Sequence, residues 1–99
     1  LQHYYHIEDI DVLFSAIKGK PIDDMVARLK GIAHQFYVTD FDFPKALPSE
    51  EILEAVPGEN KQIVEDYASF IKNYEGQALL ITGSLYFISE VKSKIDFEG

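Results

Sequence analysis

The spacing of apolar and polar positions changes several times along the chain, and the sharpest change falls between Ala78 and Val91. Ala78 to Ile81 is an apolar run without alternation, the pattern of a strand buried on both faces, as in a parallel sheet covered by helices. Thr82, Gly83 and Ser84 interrupt it. From Leu85 the apolar residues Leu85, Ile88, Val91 and Ile95 recur every three or four positions, which predicts a helix. The pattern is strand, tight turn and helix: Gly83 supplies backbone freedom to the turn, and Ser84 is placed to cap the helix with its hydroxyl. Such a corner points backbone N–H groups and the positive end of a helix dipole outward, and so can hold an anion.

The remaining elements follow from the same patterns. Leu1 to Tyr5 reads as the last turn of a helix. Asp11 to Ile17 is a dense apolar run suited to a buried strand, stopped by Lys18, Gly19, Lys20 and Pro21. Pro21 then suits the first position of a helix whose face is Ile22, Met25, Val26 and Leu29 and which Gly31 closes. Gln35 to Thr39 is rich in aromatic and β-branched residues and predicts a strand. Asp40 to Pro48 is loop, and Ser49 caps a short helix through Ala55, with Glu50 and Glu51 in its first turn. From Lys61, the stripe Ile63, Tyr67, Phe70, Ile71 and Tyr74 predicts the longest helix, ended by Gly76. The tail from Asp96 to Gly99 is expected to fray. The order β, α, β, α, α, β, α indicates one α/β domain over residues 1–99 with a mainly parallel sheet.

Composition narrows the function. With a net charge of −8, a broad grip on nucleic acid phosphates or an anionic membrane is excluded, so an anion has to be held locally. The chain has no Cys, which removes disulfides, thiolate metal sites and cysteine nucleophiles. No apolar run approaches the roughly 20 residues of a membrane span, and the expectation is a cytoplasmic protein.

Three segments together resemble a known family. Leu79 to Val91 (Leu-Leu-Ile-Thr-Gly-Ser-Leu-Tyr-Phe-Ile-Ser-Glu-Val) is similar to the terminal strand and helix of the folylpolyglutamate and dihydrofolate synthases, relatives of the Mur ligases. Asp11 to Lys20 resembles the family's second strand, and Thr39 to Leu47 resembles the loop that usually carries Pro-Arg-Ala. The resemblance implies the Rossmann-like, three-layer C-terminal domain of an ATP-dependent, ADP-forming ligase that adds glutamate to folates or dihydropteroate. It also implies a preceding P-loop ATPase domain as partner and ATP with Mg²⁺ as cofactors of the whole enzyme. This chain lacks a Walker-type loop, so by itself it is expected to be inactive. The family's first strand and its Asp-Gly-Ala-His-Asn-Pro segment would lie upstream of Leu1. A sheet without that strand is expected to show a gap, a rearrangement or an apolar groove filled by a second molecule, and so an exposed apolar edge or self-association; a compact monomer with every strand paired would count against the missing strand.

Carried over by position, Ser84 and Tyr86, with Gly83, face the glutamate side of the ligase cleft; no residue here is catalytic. The alternative is that Ser84 only caps its helix and Tyr86 only packs. Lys45 stands where the family usually has Arg, losing the planar fork but keeping the charge. Lys18-Gly19-Lys20-Pro21 replaces a typical Lys-Asp-Lys-Asp, and Ser15 replaces a usual Gly. Asp40 and Asp42 follow a strand, where α/β sheets place ligand contacts, and Asp40 is kept with Lys45 as a cleft candidate. His3 and His6 lack a third defined ligand, so no metal site is assigned, and His34 reads as structural. A second function stays open: a non-enzymatic α/β module that binds an anion or docks a protein at the Gly83-Ser84 corner.

Overall fold

Strand and helix alternate throughout the residues described by a computed structural model, 10–76 and 78–95. The elements are β1 (Ile10–Ser15), α1 (Asp23–Ile32), β2 (Ala33–Val38), α2 (Ser49–Ala55), β3 (Lys61–Ile63), α3 (Tyr67–Lys72), β4 (Ala78–Gly83) and α4 (Leu85–Lys94). The Leu1–Tyr5 turn, the His3 and His6 pair and the Asp96–Gly99 tail lie outside these residues. The four strands form one wholly parallel sheet in the order β3-β2-β1-β4. Helices lie on both sides, an α/β three-layer arrangement.

Two apolar clusters separate the layers. Val12 and Phe14 of β1 join Phe36 and Val38 of β2 under α1 and α2; Val26 and Ile52 of those helices, with Val56 just past α2, complete that side. Leu13, on the opposite pleat of β1, packs with Tyr67 of α3 and with Phe87 and Val91 of α4. The alternation of β1 is thus hidden in sequence because both its faces are covered.

Several boundaries differ from the sequence reading. Lys61–Ile63 is a strand and not the start of a helix: the Phe36 N–H donates to the Asn60 carbonyl at 2.9 Å and the Val64 N–H to the Val38 carbonyl at 2.8 Å, which draws the segment onto β2. The helix starts only where Asp66 Oδ1 accepts the Ser69 N–H at 3.2 Å. Ile63 and Tyr67, one apparent helical step apart, therefore belong to different elements. Ser49 is no cap; it is buried as the first residue of α2, which Pro48 precedes. Helix α1 begins after Pro21, at Asp23, and runs through Gly31 into β2. In α4 the buried face is Phe87, Val91 and Ile95, whereas Leu85 is 81% exposed.

β4 is an edge strand and not one covered on both faces. Leu79 and Ile81 pack against the α3–α4 cluster, while Leu80, on the other face, is 40% exposed. No helix among the described residues extends over that side. The four strands pair without a gap, and Leu80 leaves an apolar side chain exposed on the outer strand.

At the amino end of the sheet, Asp11 is buried to 7% exposure and is held from two elements. Its Oδ1 accepts the Gln35 N–H at 3.2 Å, and its Oδ2 lies 2.6 Å from the Tyr74 hydroxyl, which is also 2.8 Å from the Ala78 carbonyl. Burial, then the hydrogen bond and charge of Asp11, push the Tyr74 hydroxyl well above its usual value. Burial and the bond to Glu90 do the same for Tyr67, and burial with the Asp11 charge raises Tyr37. A raised folded-state value means stability that is complete below the ordinary tyrosine value of 10.0 and is lost as pH climbs past it. The melting temperature is therefore expected to hold up to that pH and fall above it, with the share of the tyrosinate absorbance at 295 nm that belongs to Tyr37, Tyr67 and Tyr74 appearing only as the fold melts. Tyr74→Phe, which strips a buried carboxylate oxygen of its donor, is expected to cost about 1–3 kcal/mol in chemical denaturation.

Candidate functional site

The strand order places the site before any side chain is considered. From β1 the chain crosses to β2 and β3 through α1 and α2 on one face; from β3 it returns through α3 to β4 and turns into α4 on the other. Adjacent strands β1 and β4 thus send their following segments to opposite sides, and the crevice outside their carboxyl ends is where open α/β sheets bind ligands. A cleft of about 700 Å³ lies there. One wall is the segment after β1, including Ala16, Ile17, Lys20 and Ile22; the other is Gly83, Ser84, Leu85, Tyr86 and Ser89.

The two walls meet at a close backbone contact. Ser15 pairs with Gly83 at the end of the β1–β4 ladder, and the Ser84 N–H donates to the Ser15 carbonyl at 3.0 Å. Gly83 has φ +122°, and a Cβ there would sit 2.0 Å from the Ser15 carbonyl oxygen. Both the conformation and the space demand glycine. Ser15 is fully buried, and among the described residues its hydroxyl has no hydrogen-bond partner.

Ser84 caps α4: its Oγ accepts the Tyr86 N–H at 3.1 Å. The Ser84 N–H is committed to Ser15, so the Leu85 and Phe87 N–H groups are the ones at this helix start that lack an intrahelical acceptor. The Ser84 hydroxyl proton remains available to a ligand. Tyr86 is 58% exposed, and its ring stacks on Phe43 at 4.7 Å with 18° between planes. Gly83, Ser84 and Tyr86, the three residues singled out from sequence, therefore line one cleft.

Lys45 and Asp40 do not line it. Lys45 is exposed on the loop after β2, whose backbone is joined to the loop after β1 where the Lys18 N–H donates to the Lys45 carbonyl at 2.7 Å. Asp40 lines a separate depression of about 290 Å³ with Asp42, Glu65 and Glu90. The sequence reading missed Lys20 as a cleft residue, taking it as a strand stop and as part of a departure from the family's Lys-Asp-Lys-Asp. Its place just past the carboxyl end of β1 is the signal that finds it, once β1 and β4 are known to be neighbours. Lys18, Lys20 and Lys45 put positive charge on two joined loops of a chain whose net charge is −8.

Over 91 residues, 87% of this chain, the sequence is 41% identical to the dihydrofolate synthase/folylpolyglutamate synthase of Bacillus subtilis (strain 168). The match falls in a C-terminal fragment of that protein, and the chain spans 21% of its length. The resemblance first carried by Leu79 to Val91 thus extends over most of the chain. No family model matches the chain, and no solved structure does.

Gly83→Ala is expected to destabilise the fold by more than about 2 kcal/mol, because the new methyl group meets backbone and not a side chain that can move aside. Urea denaturation of the variant against the unaltered chain measures it; an unchanged midpoint would mean that the β1–β4 corner is looser than described.

Proposed function

From the likeness to the Bacillus subtilis synthase, we propose that residues 1–99 form the C-terminal, glutamate-side domain of a longer ligase that adds L-glutamate to folates or dihydropteroate. The observation that carries this reading is the cleft at the switch point, where the Gly83, Ser84 and Tyr86 segment comes together in a chain 41% identical to that synthase. The whole enzyme would be ATP-dependent and ADP-forming, with a P-loop domain of the same chain as partner, and would work in the cytoplasm.

Magnesium and ATP do not fit the residues present here. Among the described residues no group of three or more His, Cys, Asp or Glu comes together to hold a metal ion, and the sequence contains no Gly-rich phosphate loop with its Lys. The nucleotide is therefore assigned to the partner domain. The chain alone is expected to have no ligase activity.

What these residues offer is a seat for an anionic amino acid. A carboxylate at the start of α4 would receive hydrogen bonds from the Leu85 N–H and from the Ser84 hydroxyl, and would sit at the positive end of the helix dipole. Lys20, on the opposite wall, supplies a countercharge for a second carboxylate. Glutamate has two carboxylates and one amine. Holding the carboxylates leaves the amine, the nucleophile, facing outward to an acyl group activated elsewhere. The apolar portion of the walls, Ile17 and Ile22, suits the methylenes between. The docking-module alternative draws support from Leu85, which is 81% exposed at the cleft mouth.

The test is to express the longer protein that carries this chain and measure ATP-dependent incorporation of glutamate into folates and into dihydropteroate. Incorporation is expected with at least one acceptor, and Ser84→Ala is expected to raise the KM for glutamate about tenfold, the loss of one hydrogen bond to a charged group, with the KM for ATP unchanged. Normal glutamate saturation in Ser84→Ala would remove Ser84 from the site, and no incorporation at all would favour the docking module.

A further inference from the structure

Tyr86 is the most exposed aromatic side chain lining the cleft, 58% accessible on the first turn of α4, yet its ring does not stand alone. It stacks on Phe43 at 4.7 Å; Phe43 stacks on Phe41 at 5.6 Å and 4°; and Phe41 packs on Phe87 at 5.4 Å. Phe87 follows Tyr86 directly in α4, so the ring series leaves the helix at Tyr86, passes through the loop after β2 and returns to the helix core. The loop that offers Phe43 is itself fixed. The Phe43 N–H donates to the Phe41 carbonyl at 2.8 Å and the Ala46 N–H to the Phe43 carbonyl at 3.0 Å. Beyond it the Leu47 N–H donates to the Ala16 carbonyl at 2.8 Å, and Ala46 bridges Ile17. On the other side of Phe43, the Asp42 N–H donates to Glu90 Oε2 of α4 at 3.3 Å.

A half-exposed Tyr on the first turn of a helix would otherwise move among its staggered rotamers, only some of which leave its ring against the cleft. A flat ring held on a pinned loop selects among them. Resting on the reading of this corner as the glutamate seat, we infer that Phe43 is a positioning residue: it touches no substrate, and it holds Tyr86 as the fixed aromatic wall against which the amino acid is oriented. The loop after β2 is thereby part of the specificity apparatus although it lines none of the cleft itself: it meets the walls through the Phe43 ring on Tyr86 and through its backbone at Ala16 and Ile17.

The experiment uses the longer protein and steady-state kinetics for each substrate separately. Phe43→Leu keeps apolar bulk and loses the flat face; Phe43→Tyr keeps the face. Phe43→Leu is expected to raise the KM for glutamate about three- to tenfold, the range an aromatic pair spans, with kcat and the KM for ATP within about twofold, and Phe43→Tyr to bring the KM for glutamate back to within about twofold of the unaltered enzyme. Thermal melts accompany each variant, and if Phe43→Leu does not fold, the unbranched and adaptable Phe43→Met replaces it. Tyr86→Ala is the reference. If Tyr86→Ala raises the KM for glutamate and a folded Phe43→Leu or Phe43→Met does not, or if Phe43→Tyr fails to restore it, the positioning role is overturned while the glutamate seat stands. If both Tyr86→Ala and Ser84→Ala saturate normally with glutamate, the seat itself is wrong and the positioning role falls with it.

Discussion

The contact on which the architecture turns is the one between the ends of two neighbouring strands, where the Ser84 N–H reaches the Ser15 carbonyl at 3.0 Å across Gly83. It closes the β1–β4 ladder and fixes the direction in which the chain leaves the sheet. A side chain at Gly83 would fill the space that the Ser15 carbonyl occupies. With that space free, Ser84 can be both the last group tied to the sheet and the first group of the helix. The bond also settles which donors remain. One N–H is committed to Ser15 and one to the Ser84 hydroxyl, so the start of α4 presents a small, defined set of groups outward.

Two cores follow from that turn. Because α4 leaves toward the Leu13 face while α1 leaves β1 toward the Phe14 face, β1 is covered on both sides and carries the largest buried residues of the sheet's centre. β4 shares only one of those cores. Leu80, on its other face, is left exposed. The same asymmetry produces the cleft: a strand pair whose continuations diverge cannot fill the space between them with its own backbone.

Much of this was legible in the sequence wherever local pattern and tertiary packing agree. The change of period at Ser84 located the strand-to-helix turn because Thr82-Gly83-Ser84 combines a residue for an unusual backbone angle with a residue for a cap. The failures occur where packing overrides the pattern. Lys61–Ile63 became a strand because β2 offers free carbonyl and N–H groups beside it, and no local signal separates Ile63 from the helical stripe that follows. Ser49 looked like a cap by residue type, yet it is buried as the first residue of α2, with Pro48 in the cap position. In α4 the apolar positions outnumber those one face can bury, and only the packing against β1 selects Phe87 over Leu85. The site divides in the same way. Gly83, Ser84 and Tyr86 lie within four residues of one another and were found together, whereas Lys20 and Phe43 join them only through strand order and ring contact.

The electrostatics of the chain and the placement of the cleft are consistent with each other. A protein of net charge −8 repels an anionic amino acid at long range, but at physiological ionic strength that field fades over about 8 Å. Within that distance the ligand meets the helix start, the Ser84 hydroxyl and Lys20, and beyond it the acids of α2 count for little. Acidic solubility and an anion seat can therefore coexist provided that the seat is built from backbone dipoles and a few nearby cations. That condition is met where a helix begins at the carboxyl end of an inner strand's neighbour, and among the described residues it is met at the β1–β4 corner in a cleft wide enough for a small molecule.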